Sequence, residues 1–251
     1  MRTNSPPTPY LINLFELKHC LYNITFDSNH TVQTLVTSSP DLVDCWFIDT
    51  EALSVSFPVI GLHIEWSSSN TPATIHLCIN NICLIYQVIH APHVCPSLSI
   101  YLSNPRIRFV VVGIKDGIEK LQSDYSLRVA NFVDLRSVAA EKLRDRKILK
   151  STGIKMLAER VLGKVVKKPQ SVVMSRWDSP WLNDDQVKYA TLNAYAAFEI
   201  GRRLYSTCNN WVYSNNNRVY PNDFRVPWCR IIFVFLSMLF MTGIILDFGV
   251  K

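Results

Sequence analysis

Apolar residues come in short runs along the first half of the chain and recur every three or four positions along the second. Residues 10 to 135 read as β-rich: Ile24, Phe26, Val32, Leu35 and Val36 lie among Thr and Ser, with Asn and Asp at the turns. Phe57 to Trp66 begins as a continuous apolar run and then alternates, placing Leu62 and Ile64 on one face of a strand and His63 and Glu65 on the other. Thr74 to Leu77 and Ile82 to Tyr86, separated by Asn80-Asn81, predict a hairpin. Arg108 to Ile114 is a second unbroken apolar run, of the kind a central strand produces.

After Asp134 the period changes. Val138, Ala139 and Leu143, then Ile154, Leu157, Ala158, Val161 and Leu162, follow helical spacing, with Ser151-Thr152-Gly153 as the break between two helices and Gly163 as the end of the second. Asn183 is a good N-cap for a helix that starts near Asp184 and runs through Tyr189, Asn193 and Ile200 to about Leu204. Strands first and helices last, with an acid on an otherwise apolar strand, predict an α/β domain: a mixed sheet flanked by helices.

Composition narrows the picture. The chain has 251 residues, 48% hydrophobic and 18% charged, which excludes a disordered protein, and only 8 Gly and 13 Pro, which excludes a collagen-like one. Its net charge of +6 admits an anionic partner. That charge is concentrated: Arg136 to Arg176 holds 12 Lys and Arg against 3 Asp and Glu, so the remainder is slightly acidic. Lys155, Lys164, Lys167, Lys168 and Arg176 are the candidates for phosphate contacts, with a solvated helix face as the alternative, and Trp66 reads equally as a stacking surface for a base or as part of the core. Seven Cys, none in a C-x-x-C pair, argue against a disulfide framework and a zinc module and for a reducing compartment. His90, His93 and Cys95 sit close in sequence, but their spacing fits no zinc signature and Pro92 predicts an ordinary loop.

The ends of the chain differ from its middle. Residues 1–19 form a polar, Pro-punctuated lead without the pattern of a secretory signal. Residues 206–227 read as a polar linker and 228–248 as a hydrophobic segment, within which Ile231 to Leu246 carries no charge. With Arg225 and Arg230 upstream, that segment reads either as a helix of the core or as a tail anchor that makes membrane contact and leaves the domain facing the cytosol.

Several stretches resemble the Werner-syndrome-like 3′-5′ exonuclease domain of the DnaQ-like (DEDDy) superfamily, its plant-type members most. They are VIGLHIEW (59–66), FVVVGIKDGIEKLQSDYSL (109–127), VDLRSVAAEKL (133–143), the run from Gly153 to Leu182 and DQVKYATLNAYAAFEIGRRL (185–204). The resemblance covers most of residues 20–205 and implies a ribonuclease H-like fold, a five-stranded mixed sheet with helices on both faces. It also implies two-metal phosphodiester hydrolysis: Mg²⁺ or Mn²⁺ ions held by four carboxylates activate a water, which a Tyr helps to position.

Against that pattern the chain departs at three positions. His63 stands where the family has an Asp, leaving Glu65 as the surviving carboxylate of the first motif; Gly117 stands at the Asp of the second; and Asn193 replaces the Asp four residues after Tyr189. Asp116, one residue out of register, is the candidate to rescue the second motif, and Glu65 with Asp116 would then be the metal ligands. Two readings follow. One is a nucleic-acid-binding exonuclease-like domain with absent or very weak hydrolysis, whose partners are single-stranded or recessed-end nucleic acid and a related active exonuclease subunit. The other is an active exonuclease with a repaired site built on Glu65, Asp116 and Tyr189. Such a domain is expected in the nucleus or cytoplasm, and the tail anchor is the alternative. A third reading is the product of a decayed gene.

Overall fold

The computed structural model describes residues 20–27, 30–56, 59–144, 152–167 and 169–206. The N-terminal lead, nearly all of the linker and the hydrophobic segment at 228–248 lie outside the described residues. Among the described residues no helix is long and apolar enough to cross a membrane.

Seven strands form one mixed sheet: β1 (Leu21–Asp27), β2 (His30–Thr37), β3 (Val59–Trp66), β4 (Pro72–Ile79), β5 (Ile82–Tyr86), β6 (Arg108–Val111) and β7 (Phe132–Asp134). Their order across the sheet is β1-β2-β5-β4-β3-β6-β7. The expected five-stranded unit is β5-β4-β3-β6-β7, in which β4 runs antiparallel to both β3 and β5, and β6 and β7 run parallel to β3. The correction is the β1–β2 hairpin, which joins because β2 pairs in parallel with β5 and buries Val32 and Leu35 beneath it.

The helices are α1 (Pro40–Ser56), α2 (Pro96–Leu102), α3 (Lys115–Tyr125), α4 (Leu135–Lys142), α5 (Ile154–Leu162), α6 (Gln170–Val173) and α7 (Asp184–Ser206). Three of them interrupt the half that the sequence pattern marks as β-rich. In α1, Leu42, Val43 and Trp46 are buried while Ile48 is 66% exposed, so its apolar residues are not confined to one face and the helical period is blurred. The run Arg108 to Ile114 stops being a strand at Val111, because the chain turns at Gly113 with φ +69°, and α3 begins directly after Ile114.

Alternation along β3 divides the core. Ile60, Leu62 and Ile64 pack with Trp46 of α1 and Leu121 of α3, whereas Val59 packs with Leu135, Leu157 and Ile200 of α4, α5 and α7. The predicted helix ends hold. Gly163 closes α5 in the left-handed region at φ +67°. Asn183 and Gln186 make a reciprocal capping box at α7, Gln186 N–H donating to Asn183 Oδ1 at 2.9 Å and Asn183 N–H to Gln186 Oε1 at 3.0 Å. The thiols do not all stay apart: Cys78 and Cys83, directly opposed on β4 and β5, form a disulfide.

The close seating of α7 on β3 depends on Gly61. A Cβ there would lie 2.1 Å from the Ala194 carbonyl oxygen and 2.7 Å from the Phe198 nitrogen, both backbone atoms of α7. This approach brings the end of β3 against the first turns of α7.

Candidate active site

On the face of β3 that carries Gly61, the next two side chains are His63 and Glu65. Glu65 is 7% exposed, and His63 Nε2 lies 3.0 Å from its Oε1. Facing them from α7 are Tyr189 and Asn193, one turn apart and both buried. Burial, and then the negative charge of Glu65, push the Tyr189 phenol up to about 12, with Asn193 acting in the opposite direction. The structure therefore brings together four of the positions singled out in the sequence: His63, Glu65, Tyr189 and Asn193.

Asn193 is the unusual member. It is 1% exposed, and neither its amide nitrogen nor its amide oxygen makes a formed hydrogen bond among the described residues. Its approach to the Tyr189 hydroxyl lowers that group's pKa but falls short of such a bond. A buried amide with both ends unsatisfied costs about 1–3 kcal/mol per group.

The second motif does not converge with the first. Asp116 is exposed in the first turn of α3, while Gly117 is buried and faces β3. A Cβ on Gly117 would meet Ile64 Cδ1 at 3.1 Å and Trp66 Cζ2 at 3.3 Å, so the Trp66 ring rests against the glycine. Trp66 is accordingly only half-exposed. No group of three or more His, Cys, Asp or Glu among the described residues gathers as a metal site would require. The residues present do not fit a pair of Mg²⁺ ions: one carboxylate, already engaged by an imidazole, faces a neutral amide and a protonated phenol.

Sequence reasoning missed what backs this cluster. His76 lies across from His63 in the β3–β4 register, with ring centroids 5.6 Å apart, and its Nε2 is 2.7 Å from Thr74 Oγ1. Trp177 stands 6.0 Å from His76 and 6.0 Å from Tyr189, ring to ring. Alternation in PATIHLCI leaves His76 looking like an ordinary strand residue; only the pairing register shows its role. Burial, then the neighbouring His63, hold His76 well below the ordinary histidine value of about 6.5.

That depression carries a pH prediction. Above about pH 6.5 both folded and unfolded chains hold a neutral imidazole at position 76, and nothing changes with pH. Below it the unfolded chain takes up a proton that the folded one refuses, so stability falls by up to about 1.4 kcal/mol per pH unit. Urea unfolding between pH 5 and 8 (about three units spanning that value) should show the slope, and His76→Gln should flatten it.

The basic candidates Lys155, Lys164, Lys167 and Arg176 are all exposed; Lys168 lies outside the described residues. Close to them in sequence, Trp181 is 79% exposed, an aromatic surface that no local pattern separates from the buried Trp177. The His90–Cys95 stretch is structural: His90 Nε2 lies 2.9 Å from the Asp178 carbonyl oxygen, and Cys95, its thiol pushed up to about 11 mainly by burial, contacts Asp44.

The family model for 3′-5′ exonucleases matches residues 47–208, from α1 through the end of α7. The chain belongs to the 3′-5′ exonuclease family. Within it, the chain is 30% identical over 179 residues to the mouse (Mus musculus) bifunctional 3′-5′ exonuclease/ATP-dependent helicase WRN, covering 67% of this chain and 12% of that protein. It is 26% identical over 165 residues to a 3′-5′ exonuclease of Arabidopsis thaliana, covering 62% of this chain and 56% of the plant protein. The match thus spans a small part of the first relative and about half of the second. Among solved structures, Escherichia coli RNase D aligns with a TM-score of 0.57 at 19% identity, over 69% of this chain and 44% of that one, which supports the fold. As a 3′-5′ exonuclease family member, the chain gathers His63 and Glu65 of β3 with Tyr189 and Asn193 of α7 in one cluster.

Proposed function

We propose that this exonuclease-family domain binds single-stranded or recessed-end nucleic acid and hydrolyses it very weakly or not at all. The observation that carries the reading is the buried Asn193 amide, without a formed hydrogen bond, opposite a Glu65 whose oxygen is engaged by His63. Metal-assisted attack on a phosphodiester needs carboxylates to retain the ions that polarise water and steady the leaving oxygen. Here a cap of imidazole and amide occupies that place. Tyr189 does not substitute for it, because a phenol with a pKa near 12 stays protonated at neutral pH. The repaired-site alternative draws no support from Asp116, which is exposed on α3 while its neighbour Gly117 faces the strand.

The test is release of mononucleotides from labelled single strands and recessed duplexes in Mg²⁺ and in Mn²⁺. The proposal expects no release above background for the wild-type chain. Robust release that disappears in Glu65→Ala would overturn it in favour of the repaired site.

Binding is carried by the basic stretch around α5 and α6, with Trp181 offering a stacking surface. Each phosphate neutralised on a single strand contributes about 0.7 to the slope of log affinity against log salt. Lys155→Ala, Lys164→Ala and Lys167→Ala together should therefore reduce that slope by about 2 and weaken binding evenly across sequences. A filter-binding salt series that leaves the slope of the triple variant unchanged removes the basic stretch from the interface.

A further inference from the structure

The seven-stranded sheet ends differently on its two sides. At one edge stands β7, three residues long, whose Asp134 caps α4 and pairs with Arg136. At the other stands β1, seven residues long, with no Pro, Lys or Arg and no charge before Asp27. Natural sheets keep exposed edges from pairing by shortening them, by charging them or by placing Pro on them. The β7 edge is short; the β1 edge has none of these devices along its first six residues. Among the described residues β1 pairs with β2 alone, so the backbone N–H and C=O groups of alternate residues point outward from the sheet.

The regular ladder of β1 runs from Leu21 to Thr25, before the register with β2 shifts between Thr25 and Asp27. Its midpoint is Asn23, flanked symmetrically by Tyr22 and Ile24. Those two turn to one face, where both are half-buried against the cluster around Val172 and Trp177. Asn23 and Thr25 are exposed on the other face. Such a strand is complementary to a copy of itself. Laid antiparallel about a two-fold axis at Asn23, each Tyr22 meets Ile24 of the second copy and each Leu21 meets Thr25. An aromatic against a β-branched residue is a favoured cross-strand pair. The two Asn23 amides stand opposite each other, each able to donate and to accept. No charged side chain lies anywhere in the paired stretch.

We propose that β1 is a homodimerisation edge, at which two copies of this chain join their sheets antiparallel through Leu21 to Thr25. Main-chain hydrogen bonds supply the attraction, and the alternation of side chains fixes the register. So short a pairing buries little surface, which makes the dimer weak and dependent on concentration. Three strands separate β1 from β3, placing the interface about 19 Å from His63 and Glu65 at about 4.8 Å per strand. The exonuclease cleft therefore stays open in the dimer, and loss of the dimer leaves the reading of that cleft untouched.

The experiment is sedimentation velocity of the full chain, which should show a monomer–dimer equilibrium between about 1 and about 100 µM. Asn23→Lys sets two like charges opposite each other at the centre of the pairing and should weaken the dimer by about tenfold or more. Because position 23 is exposed, the melting temperature of that variant should match the wild type. Single cysteines read the register. A bismaleimide spanning about 8 Å should link Asn23→Cys to its copy above the wild-type background, through a 23–23 peptide identified by mass spectrometry. Thr25→Cys lies about 14 Å from its own copy in the same pairing and should not link. A monomer at every concentration, a dimer unaffected by Asn23→Lys, or a dimer that gives no 23–23 link would overturn the proposal.

Discussion

Gly61→Ala should destabilise the domain by about 3 kcal/mol or more, lowering its melting temperature by about 6–12 °C. The added methyl meets backbone rather than a movable side-chain end: 2.1 Å from the Ala194 carbonyl oxygen and 2.7 Å from the Phe198 nitrogen. Relief requires α7 to lift away from β3, and that helix contributes buried residues to three separate apolar clusters. Two other glycines calibrate the result. At Gly201 the nearest atom is a side-chain carbon, Val110 Cγ2 at 2.9 Å, so Gly201→Ala should cost less. Gly153 has nothing within 4 Å, and Gly153→Ala, at the N-cap of α5, should cost about 1 kcal/mol or less. Thermal melts of the three variants check the ranking; a Gly61→Ala melt no lower than that of Gly153→Ala would contradict the seating of α7.

Restoring the three acids should create activity. His63→Asp, Gly117→Asp and Asn193→Asp together supply the missing charge around Glu65, and metal-dependent release of nucleotides should rise by about 1,000-fold over the wild-type background, equivalent to about 4 kcal/mol of barrier. Position 117 sets the limit. An Asp there needs Ile64 Cδ1 and the Trp66 ring, at 3.1 and 3.3 Å from the new Cβ, to give by a few tenths of an ångström, and the first is the end of a flexible side chain. Without metal the triple variant should be less stable than wild type, since clustered buried carboxylates repel one another. Mn²⁺ should then raise its melting temperature and leave that of the wild type unchanged. A triple variant that is folded yet neither cleaves nor responds to Mn²⁺ would place the loss of activity elsewhere than in these three positions.

Much of this architecture is legible in the sequence because local chemistry and tertiary placement agree. The alternation that separates Leu62 and Ile64 from His63 and Glu65 is the division between the two faces of β3, and Asn183 caps α7 through the reciprocal bonds its spacing to Gln186 allows. Where they disagree, the reading fails. Pro40–Ser56 is apolar on more than one side and loses its helical period, with Ile48 exposed and Trp46 buried. The site divides the same way. His63, Glu65, Tyr189 and Asn193 are identified by motif resemblance, but His76 and Trp177 join them only through strand register and helix packing, which no run of sequence displays. The exposure of Trp181 beside the burial of Trp177 is likewise a product of packing, since both lie in the same Trp-containing stretch.

The proposed function requires that the cluster of His63, Glu65, Tyr189 and Asn193 carries too little charge to hold two divalent ions. Titration of the full-length wild-type chain with Mn²⁺, read by the loss of the free-ion electron paramagnetic resonance signal, addresses it without reference to any substrate. Wild type should show no saturable site at submillimolar Mn²⁺, and Glu65→Ala should give the same trace. Two equivalents bound by wild type, and lost in Glu65→Ala, would contradict it.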